Sequence, residues 1–398
     1  MKRSSVICRS CSPISSLSPL PAVWNGWRRF TKGTGSGRVR KGAQSCLLIA
    51  PTACWPASCL FFCQKFMQLL LWFDRLRDAI RAARASRQPR PQSPRHVAYV
   101  ELSSICNAAC VFCSYPILAQ DSDRLKQMSG SVFARTLELL LQLGYRQCSF
   151  TPTTGEVFAN PQWPDFFAQA LQNEKIESVY FYSNGILLTE KNIARILELP
   201  NLHKLAAVHL SVGGTDKATY HRMFGVDKFA AVQRNINALC KALADRQLTI
   251  KVCCEARIPK TIKLATTDIE RTFNMAGYRH FRAEVLRFFD PLGGLVTDKE
   301  LRYLPPVRDK SKLCYRLGDI RFDARGGIWM CGCVVSERPG DTSLRIGSTD
   351  DQAEDIMLRQ TEIISRWRQG HLPTVCAGCR VYKPAAGNDH DLLPDVHR

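Results

Sequence analysis

Between Met1 and Phe66 the sequence contains no aspartate or glutamate, although ten lysines and arginines are scattered from Lys2 to Lys65. This absence localises the charge. Half of the formal net charge of +20 sits in about the first sixth of the 398 residues. Removing those ten from the 55 Lys and Arg residues leaves 45 basic against 35 acidic, a mild excess. A basic surface spread over the whole molecule, as nucleic-acid binding requires, is thereby disfavoured. Also lacking is an unbroken apolar run of bilayer length. The best candidate, residues 46–63, is interrupted by Pro51 and Pro56, where a spanning helix needs about twenty consecutive apolar residues.

The third absence is a fourth thiol beside three others. In "ICNAACVFCSYP" (105–116) Cys106, Cys110 and Cys113 stand in a C-x3-C-x2-C spacing, and the next cysteine downstream is Cys148. A closed structural zinc site needs four ligands, so the loop by itself is incomplete. The 18 cysteines of the chain fall in clusters separated by long ordinary stretches. That pattern argues for reduced thiols, some of them holding metal, rather than a secreted disulfide framework.

Residues 1–66 show no sustained period, and we expect a disordered or non-native basic extension there, with a natural start at Met67; a targeting peptide is the competing reading. Residues 67–96 predict an amphipathic helix, with Leu69, Trp72, Leu76 and Ile80 on one stripe, and then a linker broken by three prolines. A basic amphipathic helix packs across a domain end or lies on a membrane surface, and the first is preferred.

From residue 97 the chain alternates apolar β-rich runs (98–104, 147–152, 178–183, 207–212, 249–256, 281–288) with helical periods near 131–143, 162–173, 189–199, 228–244 and 263–276. Six strands separated by helices predict parallel βαβ units closing into a partial (β/α)6 TIM-like barrel over 97–300. The three-cysteine loop, "TTGEVF" (153–158), "SNG" (183–185) and "SVGGTD" (211–216) then all fall at carboxyl ends of strands, where barrel sites assemble. Residues 301–385 predict a small domain, a β-hairpin turning at Gly326–Gly327 followed by a helix, and 386–398 a tail. Cys314, Cys331, Cys376 and Cys379 are its candidate ligands, with Cys333 able to replace Cys331. Cys148, Cys240, Cys253 and Cys254 read as small core residues.

Cys106, Cys110 and Cys113, with Phe112 before the last, resemble the signature of the radical S-adenosylmethionine (SAM) superfamily. The resemblance implies a [4Fe-4S] cluster held by these three catalytic thiolates, its fourth iron open to SAM, and hydrogen abstraction by a 5'-deoxyadenosyl radical. It further implies SAM contacts from Phe112, Gly155, Glu156, Ser183, Asn184 and Ser211. Where related sequences carry an arginine for the SAM carboxylate this chain has Phe224, leaving Arg222 as a substitute. The second cysteine set resembles the twitch form of the SPASM auxiliary domain, which implies a second [4Fe-4S] cluster; zinc stays the alternative. The expectation is a cytoplasmic oxidoreductase or maturase, reduced by a flavodoxin or ferredoxin. Its expected substrate is a small molecule, such as a sugar or cyclitol-like alcohol, or else a peptide. An RNA-binding protein and a non-catalytic iron–sulfur carrier are the readings from other classes.

Overall fold

A computed structural model describes residues 96–332 and 340–385. The expectations for 1–66, for 67–95, for Cys333 and for the tail lie outside them. Strands β1 (Val97–Val100), β2 (Gln147–Phe150), β3 (Ser178–Ser183), β4 (Leu205–Val212), β5 (Lys251–Arg257) and β6 (Phe281–Leu286) pair in parallel with their sequence neighbours. The helices among them are α1 (Tyr115–Leu118), α2 (Gly130–Gln142), α3 (Trp163–Gln172), α4 (Glu190–Leu197), α5 (Lys217–Phe224), α6 (Phe229–Asp245) and α7 (Thr266–Phe273). The sequence periods anticipated α2, α3, α4, α6 and α7 to within a few residues. They missed α5, which is capped by Asp216 accepting from Thr219 N and ends at Gly225 in a left-handed conformation.

Alternation explains the two faces. Along β3, Val179 and Phe181 are buried while Tyr180 and Tyr182 are half-buried, as a strand of period two places them. The outer set packs against the helices in an aromatic core where Phe133 stacks on Phe166 at 4.4 Å and Phe150 on Phe167 at 4.3 Å. The inner set is polar: Tyr182 stacks on His209 at 4.2 Å, and His209 meets Glu255 at 3.3 Å. Cys148, Cys240 and Cys254 are buried as expected. Cys253 is not a core residue; on β5 it shares the half-buried polar face with Glu255 and Arg257, because a run of apolar neighbours hid the alternation.

The sheet does not close. Its order is β6-β5-β4-β3-β2-β1-β7-β8-β9, where β7 (Ile320–Phe322), β8 (Gly327–Met330) and β9 (Arg345–Ser348) come from the C-terminal segment. The hairpin β7–β8 was expected, but β9 and the parallel pairing of β7 with β1 were not. A partial barrel leaves the outer edge of β1 with unpaired backbone groups. Here β7 covers it: Glu101 N donates to Phe322 O at 2.9 Å, and Val97 N to Asp319 Oδ1 at 3.1 Å. Helix α8 (Ala353–Arg368) and the short α9 (Thr374–Gly378) complete the segment. No helix among the described residues is long and apolar enough to cross a membrane.

Candidate active site and a second cysteine cluster

The three-cysteine loop leaves β1 and is anchored on the C-terminal end of α5. Ala109 N donates to Phe224 O and Val111 N to Met223 O, both at 3.0 Å. The loop passes so close to Gly225 that a Cβ there would meet Ala109 O at 2.7 Å. Phe112 packs between Phe224 and Phe289, with centroids at 5.4 and 5.6 Å. At the next strand end Glu156 N donates to Ile105 O at 2.9 Å, and Gly155, with φ near +148°, approaches Ser103 so closely that a Cβ would lie 2.0 Å from its carbonyl oxygen. Only glycine fits that approach.

Glu156 fastens three segments together. Its carboxylate accepts from Ser183 Oγ at 2.7 Å and from Asn184 N at 2.9 Å, both at the end of β3. Burial pushes its carboxyl up to about 7, against the pull of those donors. Asn184 Nδ2 in turn donates to Asn107 Oδ1 at 2.7 Å and reaches Cys106 Sγ at 3.7 Å.

Nine of the residues expected to hold the first cluster or SAM (Cys106, Cys110, Phe112, Cys113, Gly155, Glu156, Ser183, Asn184 and Ser211) line one largely apolar cavity of about 420 Å3. That is the range of small-ligand and cofactor sites. Arg222 is not on its wall; it is paired with Asp298 at 2.7 Å and Glu300 at 2.8 Å. The cation that lines the cavity is Arg257, at the end of β5, lying 5.1 Å over the Phe112 ring and within 3.4 Å of Ser211 Oγ. The sequence reading missed it, although strand alternation from Cys253 through Glu255 to Arg257 would have put it on the inner face. Asp290, on the cavity wall beyond β6, was missed as well, and burial raises its carboxyl. Behind the wall, fully buried Arg321 of β7 donates to Thr153 Oγ1 at 2.9 Å, so the C-terminal segment braces the "TTGE" turn.

The donor set fits an iron–sulfur cluster. Burial first, and then the neighbouring Glu156 carboxylate and the Cys113 sulfur, push the Cys106 thiol up to about 12, and burial raises Cys110 too. Thiolates in such a place need the positive charge of a metal. Among the described residues no group of three or more His, Cys, Asp and Glu side chains is already drawn together around a single-ion position.

A second, small cavity is lined by Cys314, Cys331, Cys376 and Cys379 with Arg316, Leu317, Trp367, Val381 and Tyr382. The chain closes it by pairing distant stretches: Ala385 N donates to Leu313 O at 2.8 Å, and Tyr382 Oη to Lys312 O at 2.8 Å. Cys331 has φ +73°, a left-handed conformation that costs a non-glycine residue about 1–3 kcal/mol and is found where function demands it. Its N–H donates to Asp319 O at 2.9 Å. Val381 belongs to the walls of both cavities.

Residues 100–252 match the family model described as the Radical SAM superfamily. None of the curated proteins compared with the chain matches it. Solved structures similar to it include BtrN in complex with AdoMet and 2-DOIA, at 15% identity over 74% of this chain and 96% of that one with a TM-score of 0.45. Another is anSMEcpe with bound AdoMet and a peptide, at 15% identity over 69% and 84% with a TM-score of 0.46. A third is SuiB of Streptococcus suis bound to S-adenosylmethionine, at 13% identity over 67% and 66% with a TM-score of 0.43. Scores at this level carry no argument alone. The family implies a [4Fe-4S] cluster and SAM, and the family-model match spans the three-cysteine loop, the Gly155–Glu156 turn and the ends of β3 and β4 that line the larger cavity. On that match residues 100–252 form a domain of the Radical SAM superfamily.

Proposed function

We propose that this enzyme oxidises the alcohol of a small sugar- or cyclitol-like molecule, using one [4Fe-4S] cluster at Cys106, Cys110 and Cys113 and an auxiliary [4Fe-4S] cluster at Cys314, Cys331, Cys376 and Cys379 in a twitch-type domain. The bound cluster and SAM supply reductive cleavage and removal of a substrate hydrogen atom. The chain's residues orient and shield. The Gly155 backbone and Glu156 hold the strand-end loops, Ser183, Asn184 and Ser211 would offer polar contacts to SAM, Arg257 would pair with its carboxylate, and Phe112 with Phe289 would keep water from the site. Removing one hydrogen atom from a carbinol carbon leaves a proton and an electron still to be lost. Glu156 is occupied by Ser183 and Asn184, so Asp290 is the carboxylate on the wall left to receive the proton.

The observation that carries this reading is the shared wall: Val381 separates the cavity holding the catalytic cysteines from the one holding the other four. Cys314, Cys331, Cys376 and Cys379 would hold an auxiliary cluster behind that wall, and such a cluster would supply an acceptor for the second electron. A flavodoxin or ferredoxin would supply the first. The test is isotope transfer. Reconstituted enzyme with SAM, reductant and carbinol-deuterated cyclitols or aminocyclitols should give deuterated 5'-deoxyadenosine and a ketone in equal amounts. Transfer only from labelled peptides would refute the alcohol reading and leave peptide modification in its place.

A further inference from the structure

Lys310 lies four residues before Cys314 and is buried, at 7% exposure. Its Nζ donates to the carbonyl oxygens of Cys376 at 2.8 Å, Ala377 at 2.7 Å and Cys379 at 2.8 Å. Three acceptors at those distances require three N–H donors, which an ammonium has and a neutral amine does not. Its own carbonyl accepts from Trp367 Nε1 at 3.0 Å, and Trp367 walls the four-cysteine cavity. Lys310 is thereby fixed at both ends. Among the described residues no carboxylate lies within ion-pair distance of it; backbone carbonyls alone receive its protons.

A buried cation without an anion is costly. Among the described residues the Asp290 carboxylate feels this charge only from beyond ion-pair distance, and a thiolate-ligated metal centre would bring an anion to its side, since four thiolates outweigh the charge of the metal core. We infer that Lys310 is the positioning and charge-neutralising residue of the auxiliary site. It orders the Cys376–Cys379 turn by binding three of its carbonyls, that of Cys376 also accepting from Cys379 N at 3.2 Å. It also places a fixed positive charge beside two of the ligands, which favours the more negative, reduced form of the cluster and raises its reduction potential. This rests on the auxiliary-cluster reading above. It gives the buried lysine a role in setting how readily that site takes an electron.

The test uses the full chain with Cys106, Cys110 and Cys113 changed to Ala, so that iron reports on the second site alone, and compares it with the same chain carrying Lys310→Met or Lys310→Arg. In the Met variant iron should be lost to a chelator at least about tenfold faster. At a fixed poise its ratio of reduced to oxidised cluster should fall about tenfold, or about 59 mV for a one-electron couple. The Arg variant should keep the parent's potential while losing iron somewhat faster. Faster loss with an unchanged potential in the Met variant would reduce Lys310 to a backbone clamp and overturn the charge role, as would a parent-like Met variant. If the Met variant takes up no iron, an Arg variant with the parent's potential supports the inference and an Arg variant equally empty overturns it. A parent that binds zinc instead of iron refutes the cluster reading; release of that zinc, faster for Met than for Arg, then decides on Lys310. A parent that binds neither metal overturns both.

Discussion

The two cysteine sites of this protein are built in opposite ways. Cys106, Cys110 and Cys113 come from one short loop at the end of β1, and their supports, Glu156, Ser183 and Asn184, arrive from the next two strand ends. The second site gathers Cys314, Cys331 and the Cys376–Cys379 pair from three separated stretches and needs the pairing of 313–314 with 384–385 to close. A ligand set within one loop survives small changes elsewhere, because local chain geometry brings it together. A set gathered over long loops depends on everything that pays the closure entropy, here the edge pairing of β7 on β1 and the buried Trp367 and Lys310.

The largest expected effect falls on the local site. Changing Cys106, Cys110 or Cys113 singly to Ala should abolish reductive formation of 5'-deoxyadenosine, and iron should fall from about eight to about four per chain. Retained SAM cleavage in any of the three would break the assignment of that loop. Next comes Cys376→Ala with Cys379→Ala, which should eliminate substrate turnover while SAM cleavage stays within about threefold of wild type, the two cavities being divided by Val381. Equal loss of both activities would show the distant site to be a clamp on the fold.

A smaller effect is expected at Glu156. Glu156→Gln can keep its amide oxygen on the Asn184 N–H, but its NH2 then faces Ser183 Oγ, which must accept where it now donates. Exchanging that one hydrogen bond costs about 1 kcal/mol, so SAM should bind about tenfold more weakly or less. The same variant checks a pH dependence in the metal-free chain. Folded Glu156 keeps its proton up to about 7, whereas its ordinary value is 4.5, mainly because burial disfavours the charge. Between those values the folded state binds more protons, so stability should decline as pH rises from about 4.5 to 7 and then level off. Glu156→Gln should flatten that decline by up to about 3 kcal/mol in denaturant titrations; an unchanged slope would place the titration elsewhere. The smallest contrast lies between two arginines. Arg257→Met should weaken SAM binding about tenfold. Arg222→Met should leave it unchanged and cost about 1 kcal/mol of stability or less, because its ion pairs with Asp298 and Glu300 are half-exposed.

Local spacing was enough to read much of this from the sequence. The three thiols, the alternation of six strands with helices, and the Gly155–Glu156 turn are patterns of neighbours, and the chain between them is short, so their meeting at one end of a parallel sheet follows from βα connectivity. Helix α5 escaped because it is brief and its signal is a cap, Asp216 with Gly225, rather than a long apolar period. Cys253 was misassigned because a thiol reads as apolar on either face; period-two alternation with Lys251, Glu255 and Arg257 places it on the inner one.

What the sequence by itself determined, then, is the grouping of three thiols in one loop and the βα order, since both are set by contacts between residues close along the chain. Tertiary structure alone decided which cation faces the cavity, Arg257 rather than Arg222, because each is as basic as the other and only position separates them. It also decided that the C-terminal hairpin joins β1 in one continuous sheet, that Arg321 braces the Thr153 turn, and that Lys310 sits under Cys376 and Cys379. Those are contacts between residues 66 to 222 positions apart, whose closing cost is met by burial and pairing of whole elements, and no periodicity along the chain records them.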